Sequence, residues 1–179
     1  AAQTSGNAVL VGSLSKYFSM TGWRVGWAVL PEALRRPVEL LLGNLNICAP
    51  ALNQVAAVEA FSREARVELE GHVRRYAANR ELILGRLPEL RVSTWAPADG
   101  AFYAYADIGH LTRNSLQWCF EVLDATGVAV TPGIDFAPHR PGVDSELDGS
   151  RWFRLSFAGS TGECDEAMTR LAAFCSRAL

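Results

Sequence analysis

The chain has little that would tie it to a metal, a membrane or a nucleic acid. Its four cysteines, Cys48, Cys119, Cys164 and Cys175, form no CxxC pair and no ligand spacing. No metal site is expected, and free buried thiols in a reducing cytosol are the reading. There is no run of 18 apolar residues, the length a spanning helix needs. Opposite charges nearly balance at a formal net charge of -2, without a block of one sign. Neither a nucleic-acid stripe nor a membrane-surface patch is expected, so nucleic acid and membrane are not among the expected partners. The three histidines, His72, His110 and His139, have no ligand-spaced partners and read as surface or structural residues. The opening residues lack a basic start followed by an apolar stretch, so no secretory signal is read there. The expected location is the cytoplasm.

What is present is a core-forming composition. Hydrophobic residues make up 49% and charged residues 20% of 179 residues, the profile of a globular protein. Residues 8–11 form a short apolar run ending at Gly12, which suits a buried strand entering a tight loop. A second apolar stretch, Val25 to Leu30, stops at Pro31. From Pro31 to Ala60 the pattern is helical, with breaks expected at Pro37, Gly43 and Pro50. A long helix follows, with Leu69, Val73, Tyr76, Ile83 and Leu87 on one stripe and Pro88 closing it. At about 25 residues it would run about 37 Å, enough to connect two domains.

After residue 90 the elements shorten. Arg91–Trp95 and Ala101–Ala106 read as strands around a Pro97–Gly100 turn. Ser115–Ala125 reads as a helix capped by Asn114 and ended by Gly127. Val128–Val130 and Arg151–Phe157 read as strands. Ser160-Thr161-Gly162-Glu163 is a capping-box pattern opening a last helix whose core stripe is Cys164, Met168, Leu171, Cys175 and Leu179. The fold class is therefore α/β. Residues 1–62 read as the end of a large sheet-containing domain, 63–88 as a connecting helix, and 89–179 as a small α/β (α+β) domain.

The chemistry concentrates in residues 13–27, Ser-Leu-Ser-Lys-Tyr-Phe-Ser-Met-Thr-Gly-Trp-Arg-Val-Gly-Trp. A lone lysine, Lys16, sits in a small-residue loop between two apolar strands. Partial desolvation there would free its amine to attack a carbonyl and form an imine. Arg24, eight residues on, carries a planar guanidinium fork suited to a phosphate dianion. Ser13 and Ser15 offer hydroxyl donors to the same anion. The plain alternative is an exposed lysine with Arg24 paired to a carboxylate. A second cluster is Trp152-Phe153-Arg154-Leu155-Ser156-Phe157-Ala158. Strand alternation puts Arg154 opposite Phe153 and Leu155, either on a solvated face or in a cleft. Arg151, nearby, reads as surface. Gly100-Ala101-Phe102-Tyr103 offers Phe102 as a pocket wall or as a core aromatic.

The stretch around Lys16 resembles the cofactor-lysine signature of fold-type I pyridoxal-phosphate-dependent aminotransferases of class I/II, which are aspartate aminotransferase-like. The Arg154 strand resembles that family's late Arg-φ-Ser/Asn-φ-Ala strand, and Gly100–Phe102 its Gly-x-Phe segment. The resemblance implies a large three-layer α/β cofactor domain, of which this chain would carry the C-terminal part. It implies pyridoxal 5'-phosphate held by Lys16, with Ser13, Ser15 and Arg24 on the phosphate. It implies Arg154 on the substrate α-carboxylate and Phe102 near the substrate side chain. The reaction implied moves an amino group between an L-amino acid and a 2-oxo acid, of aspartate type among other choices, in a homodimer. Asn44, Asn46 and Asn53 lie where the family often builds its dimer contact. The family's pyridine-nitrogen aspartate, ring-stacking aromatic and Gly-rich phosphate turn lie upstream of the lysine. None fits the 15 residues before Lys16, so these residues alone are not expected to transaminate. Two other functions stay open on the same scaffold: a carbon–sulfur lyase, and the aminotransferase-like domain of a transcription regulator.

Overall fold

The structure is a computed structural model that describes residues 5–137 and 148–177. The first elements are two short strands, β1 (Leu10–Ser13) and β2 (Gly26–Val29). They pair antiparallel, with Ser13 opposite Gly26 and Leu10 opposite Val29. Glycine is required at this ladder. A Cβ on Gly12 would sit 2.2 Å from the Trp27 indole, and one on Gly26 would sit 2.6 Å from the Gly12 carbonyl oxygen. The helices α1 (Glu32–Leu45) and α2 (Ala51–Glu59) follow, started by Pro31 and Pro50. Proline suits a helix start because its missing N–H is not needed there. The breaks expected at Pro37 and Gly43 do not occur: α1 runs through both, and Pro37 forfeits one helical N–H.

Helix α3 (Arg63–Arg86) spans 24 residues. The chain divides inside it into two compact units, Ala1–His72 and Val73–Leu179. In the first unit the buried hydrophobic residues among those described are Leu14, Ala57 and Leu69. The buried strands expected there are instead exposed, with Val11 at 77% and Val29 at 49%. A two-stranded ladder has two faces, and the described residues of this unit leave both largely open.

The second unit is built around a three-stranded antiparallel sheet. Strand β3 (Tyr103–Asp107) and the two-residue β4 (Thr131–Pro132) flank β5 (Trp152–Ser156), in the order β3-β5-β4. One face carries Ala104, Ala106, Phe153 and Leu155, all buried. It packs with Ile83, Leu87, Trp118, Val122, Met168 and Leu171 into a single core. Those residues come from the end of α3 and the short 3-10 turn after it (Leu87–Leu90), from α4 (Ser115–Thr126) and from α5 (Thr161–Arg177). Alternation leaves Tyr103, Tyr105, Trp152 and Arg154 on the other face, partly exposed.

Several boundaries differ from the sequence reading. Residues 91–95 form no strand; Trp95 makes one isolated bridge to Ala106 before Pro97 ends donation to the ladder. β3 starts at Tyr103 because Ala101 is left-handed, at φ 58°. Val128–Val130 do not pair, and the Val128 N–H is taken by the Thr126 hydroxyl at 3.1 Å. Val73 is 41% exposed and leaves the expected stripe of α3. The stripe's polar member, Asn79, is fully buried instead. Cys48 is exposed, while the other three cysteines are buried and free as expected. His139 and Leu179 lie outside the described residues.

Candidate active site

Ser13 ends β1 and Gly26 opens β2, so the 12 residues between them close one loop at the end of the ladder. Its first and last positions continue the pairing, the Leu14 N–H donating to the Val25 carbonyl at 3.1 Å. Ser13 and Arg24 therefore come to the same end of the hairpin. Inside, the loop is tied by its own backbone. Met20 N–H donates to the Leu14 carbonyl at 3.1 Å, and the Thr21 hydroxyl to the Ser15 carbonyl at 2.7 Å. Leu14 is the buried anchor, 1% exposed. Ser15 N–H donates to the Ser13 hydroxyl oxygen at 3.1 Å, which sets the serine side chain toward the loop. Arg24 is left-handed, at φ 52°, and its guanidinium donates to the Thr21 carbonyl at 2.9 Å.

Two further contacts hold the loop to α3. The Tyr17 hydroxyl donates to the Glu70 carboxylate at 2.7 Å, and Ser19 Oγ lies 3.1 Å from His72 Nδ1. The bond to Glu70 is the main reason the Tyr17 phenol is pushed above its ordinary pKa. Neither contact was legible in the sequence, because the partners stand 53 residues apart. The expected desolvation of Lys16 is not found: Lys16, like Ser13 and Arg24, is exposed and Ser15 is intermediate. The physical reason is again the open ladder, whose faces the described residues leave uncovered.

The loop's composition tests its fit to a phosphorylated carbonyl cofactor. Residues 12–27 contain no Asp or Glu, one lysine and one arginine. With the hydroxyls of Ser13 and Ser15, they make a donor set with net positive charge, suited to a dianion. Lys16 is also the only lysine in the whole sequence. The residues fit such a group.

The second cluster lies in the other unit. Arg154 pairs with Tyr105 on one side and Thr131 on the other. Its guanidinium carbon lies 4.1 Å from the Tyr103 ring centroid and 4.3 Å from that of Phe136. Phe102 packs beside Tyr76 at 5.6 Å and Tyr103 at 4.6 Å, against the core. Arg151 is not surface: its Nε donates to Asp107 at 2.9 Å, and the pair is 19% and 13% exposed. That ion pair separates it from Arg154, which among the described residues meets rings and no carboxylate. Sequence reading missed Tyr103 and Phe136 as neighbours of Arg154. Strand alternation could have found Tyr103, two residues before Tyr105; nothing local marks Phe136.

The model of the family described as "Aminotransferase class I and II" matches residues 2–171. The chain belongs to that family. It is 48% identical over 172 residues to the valine–pyruvate aminotransferase of Mycobacterium tuberculosis, covering 96% of this chain and 42% of the relative. The crystal structure of an aminotransferase from Mycobacterium tuberculosis superposes with a TM-score of 0.90 at 46% identity, covering 98% of this chain and 43% of that one. An aspartate aminotransferase from Thermus thermophilus with maleate gives 0.78 at 28% identity, covering 96% and 41%. The chain thus spans about two fifths of the length of these relatives. Its mixed α/β class is the one expected, and the family is one of enzymes. No helix among the described residues is long and apolar enough to cross a membrane.

Proposed function

We propose that these residues form the lysine and carboxylate-binding part of a transaminase that uses pyridoxal 5'-phosphate. The observation that carries the reading is the Lys16 loop: the sequence's only lysine, in a segment free of acidic residues, with Ser13 and Arg24 at the same end of the hairpin. Ser13, Ser15 and Arg24 would hold the phosphate by hydroxyl and guanidinium N–H donation. Lys16 would hold the cofactor's carbonyl carbon until the substrate amino group displaces it there, and the amine so freed would take the proton from the substrate Cα and deliver it to the cofactor carbon, one group working as base and then acid. Arg154 would grip the α-carboxylate with its two parallel N–H donors, fixing the orientation of that group. The bound cofactor supplies the electron sink for that proton loss. Phe102 stands one residue from Tyr103 and would border the substrate side chain.

The substrates are an L-amino acid and a 2-oxo acid, in a homodimer, as for the family. Identity of 48% to a valine–pyruvate aminotransferase, against 28% to an aspartate aminotransferase structure, favours a branched apolar donor over the aspartate-type one. The named relatives, all aminotransferases, also favour transamination over a lyase or a regulator domain.

The test uses the single lysine. The chain is mixed with pyridoxal phosphate, reduced with borohydride, digested and mapped by mass. One adduct on the Lys16 peptide is expected, lost in Lys16→Ala and weakened in Arg24→Ala. Label confined to the amino terminus would sink the reading. In an enzyme that includes these residues, valine with pyruvate should turn over faster than aspartate with 2-oxoglutarate.

A further inference from the structure

The open face of the second unit's sheet carries an arrangement that the carboxylate-binding role does not by itself require. Phe136 is 48% exposed. Its position is fixed by backbone rather than by burial. Phe136 N–H donates to the Gly133 carbonyl at 2.9 Å, and so does Ala137 N–H. Gly133 is itself wedged: a Cβ there would sit 2.5 Å from the Gly149 carbonyl oxygen and 2.7 Å from Trp152 Cβ. The turn therefore delivers the Phe136 ring to one place. That place is edge-on to Tyr105, at 6.2 Å and 89°, and 4.3 Å from the Arg154 guanidinium carbon. Tyr103 meets the same carbon at 4.1 Å. The Arg154 guanidinium carbon therefore stands over two aromatic rings at once.

We propose that Phe136 and Tyr103 are positioning residues that hold the Arg154 guanidinium against two aromatic rings and leave its N–H edge for a substrate carboxylate. The physical gain is preorganisation. A free arginine side chain loses most of its rotamer freedom when it makes a two-point contact, and this one has lost it before the ligand arrives. Ring faces also attract the cation without using its N–H donors. A carboxylate partner such as Asp107, which holds Arg151, would occupy those donors. The contrast between the two arginines is therefore functional: Arg151 holds Asp107, whereas among the described residues no carboxylate takes the Arg154 donors.

This inference rests on the carboxylate role proposed for Arg154, and the test separates the two. Arginine Nε–Hε resonances of the ¹⁵N-labelled full chain are assigned with Arg154→Lys and titrated with 3-methyl-2-oxobutanoate. The expected Arg154 resonance is ring-shifted and slow to exchange with water, and it moves saturably with the oxo acid. Phe136→Leu should return it toward the free-arginine position and weaken binding roughly ten-fold, the range of a desolvated cation–ring contact. Phe136→Trp should restore both. An Arg154 resonance already at the free-arginine position, unmoved by Phe136→Leu, overturns the positioning role whatever binds. So does binding unchanged in Phe136→Leu. A ring-shifted resonance that the oxo acid never perturbs overturns the carboxylate role beneath it. Because Phe136 is half exposed, Phe136→Leu should leave the amide spectrum of α4 and α5 in place.

Discussion

The two units of this chain spend their apolar residues differently. In the second, Phe153, Phe157, Met168, Leu171 and thirteen others are buried in one continuous cluster. In the first, large hydrophobics such as Val11, Leu45, Ile47, Leu52 and Val58 are more than two-thirds exposed. Apolar composition is therefore not what distinguishes a self-supporting unit; the number of faces that meet is. The second unit sets helices against one face of a sheet, which closes a core. The first has a ladder and two helices whose apolar sides find few partners among the described residues. The candidate chemistry falls on both sides of this contrast, with Lys16 in the open unit and Arg154 on the closed one.

Truncating one aromatic in each unit breaks or sharpens the comparison most strongly. Phe153 is fully buried and meets Trp118 edge-on at 5.1 Å. Phe153→Ala should cost about 3–5 kcal/mol, as deletions of buried aromatics do. Phe61 is 63% exposed, and among the described residues its ring meets those of Phe18, at 4.9 Å, and Trp27, at 6.2 Å. Phe61→Ala should cost about 1 kcal/mol, the worth of such ring contacts. Urea unfolding followed by hydrogen exchange, in α1 and α2 for Phe61→Ala and in α4 and α5 for Phe153→Ala, reads both. Equal losses would show that the first unit is as well packed as the second.

Asn79 provides the next test, on a smaller scale. Its side chain is fully buried in α3. Nδ2 donates to the Phe157 and Gly159 carbonyls, each at 3.0 Å, and Oδ1 accepts from the Thr161 hydroxyl at 2.7 Å. One amide thus fastens the end of β5 and the start of α5 to the long helix. Asn79→Leu would strand the carbonyl of the buried Phe157, at about 1–3 kcal/mol, while Gly159 and Thr161 are exposed and can turn their groups to water. Asn79→Asp replaces two donations with repulsion and should be worse. Circular-dichroism melts of the three proteins check the order; a neutral Asn79→Leu would mean that water replaces the amide.

Asn79 also shows what a sequence can and cannot disclose. Local devices were legible because their partners are three or four residues apart. Asn114 caps α4, accepting from Gln117 N–H at 3.1 Å, and Gly127 ends it in the left-handed region at φ 71°. Ser160 and Glu163 exchange the two bonds of a capping box, at 2.8 and 3.2 Å. The α5 stripe of Cys164, Met168, Leu171 and Cys175 is buried as its spacing predicts. What stayed hidden depends on residues far apart. A count of apolar positions passes over a buried asparagine. Periodicity marks which face of a strand is apolar, but not whether anything covers it, so β1 and β2 read as buried. The rings around Arg154 arrive from two segments, one before and one after α4, and no spacing relates them.

The smallest perturbation reads the comparison through thiols, since a reagent that has not yet reacted changes no stability. Cys48 follows α1 in the open unit and is exposed; Cys119, Cys164 and Cys175 are buried in the core of the closed one. Burial pushes the Cys119 thiol up to about 12, with the negative charge of Asp135 adding to it. Burial likewise pushes Cys175 up to about 11. Reaction with a disulfide reagent needs the thiolate and access to it, and the core denies both near neutral pH. At pH 8 one equivalent should react quickly, removed by Cys48→Ser, and three more only as urea unfolds the core. The sign of the pH dependence follows from the same shifts. A thiol whose pKa is raised by folding contributes stability that is whole below its unfolded value, near 9. That stability is lost as pH climbs toward 12, because the unfolded chain then releases protons that the folded chain retains. Labelling of the three core thiols should therefore accelerate from pH 9 upward more steeply than thiolate formation on Cys48 explains. Four equally fast thiols at pH 8 would place the second unit's core on the same footing as the first unit's open faces.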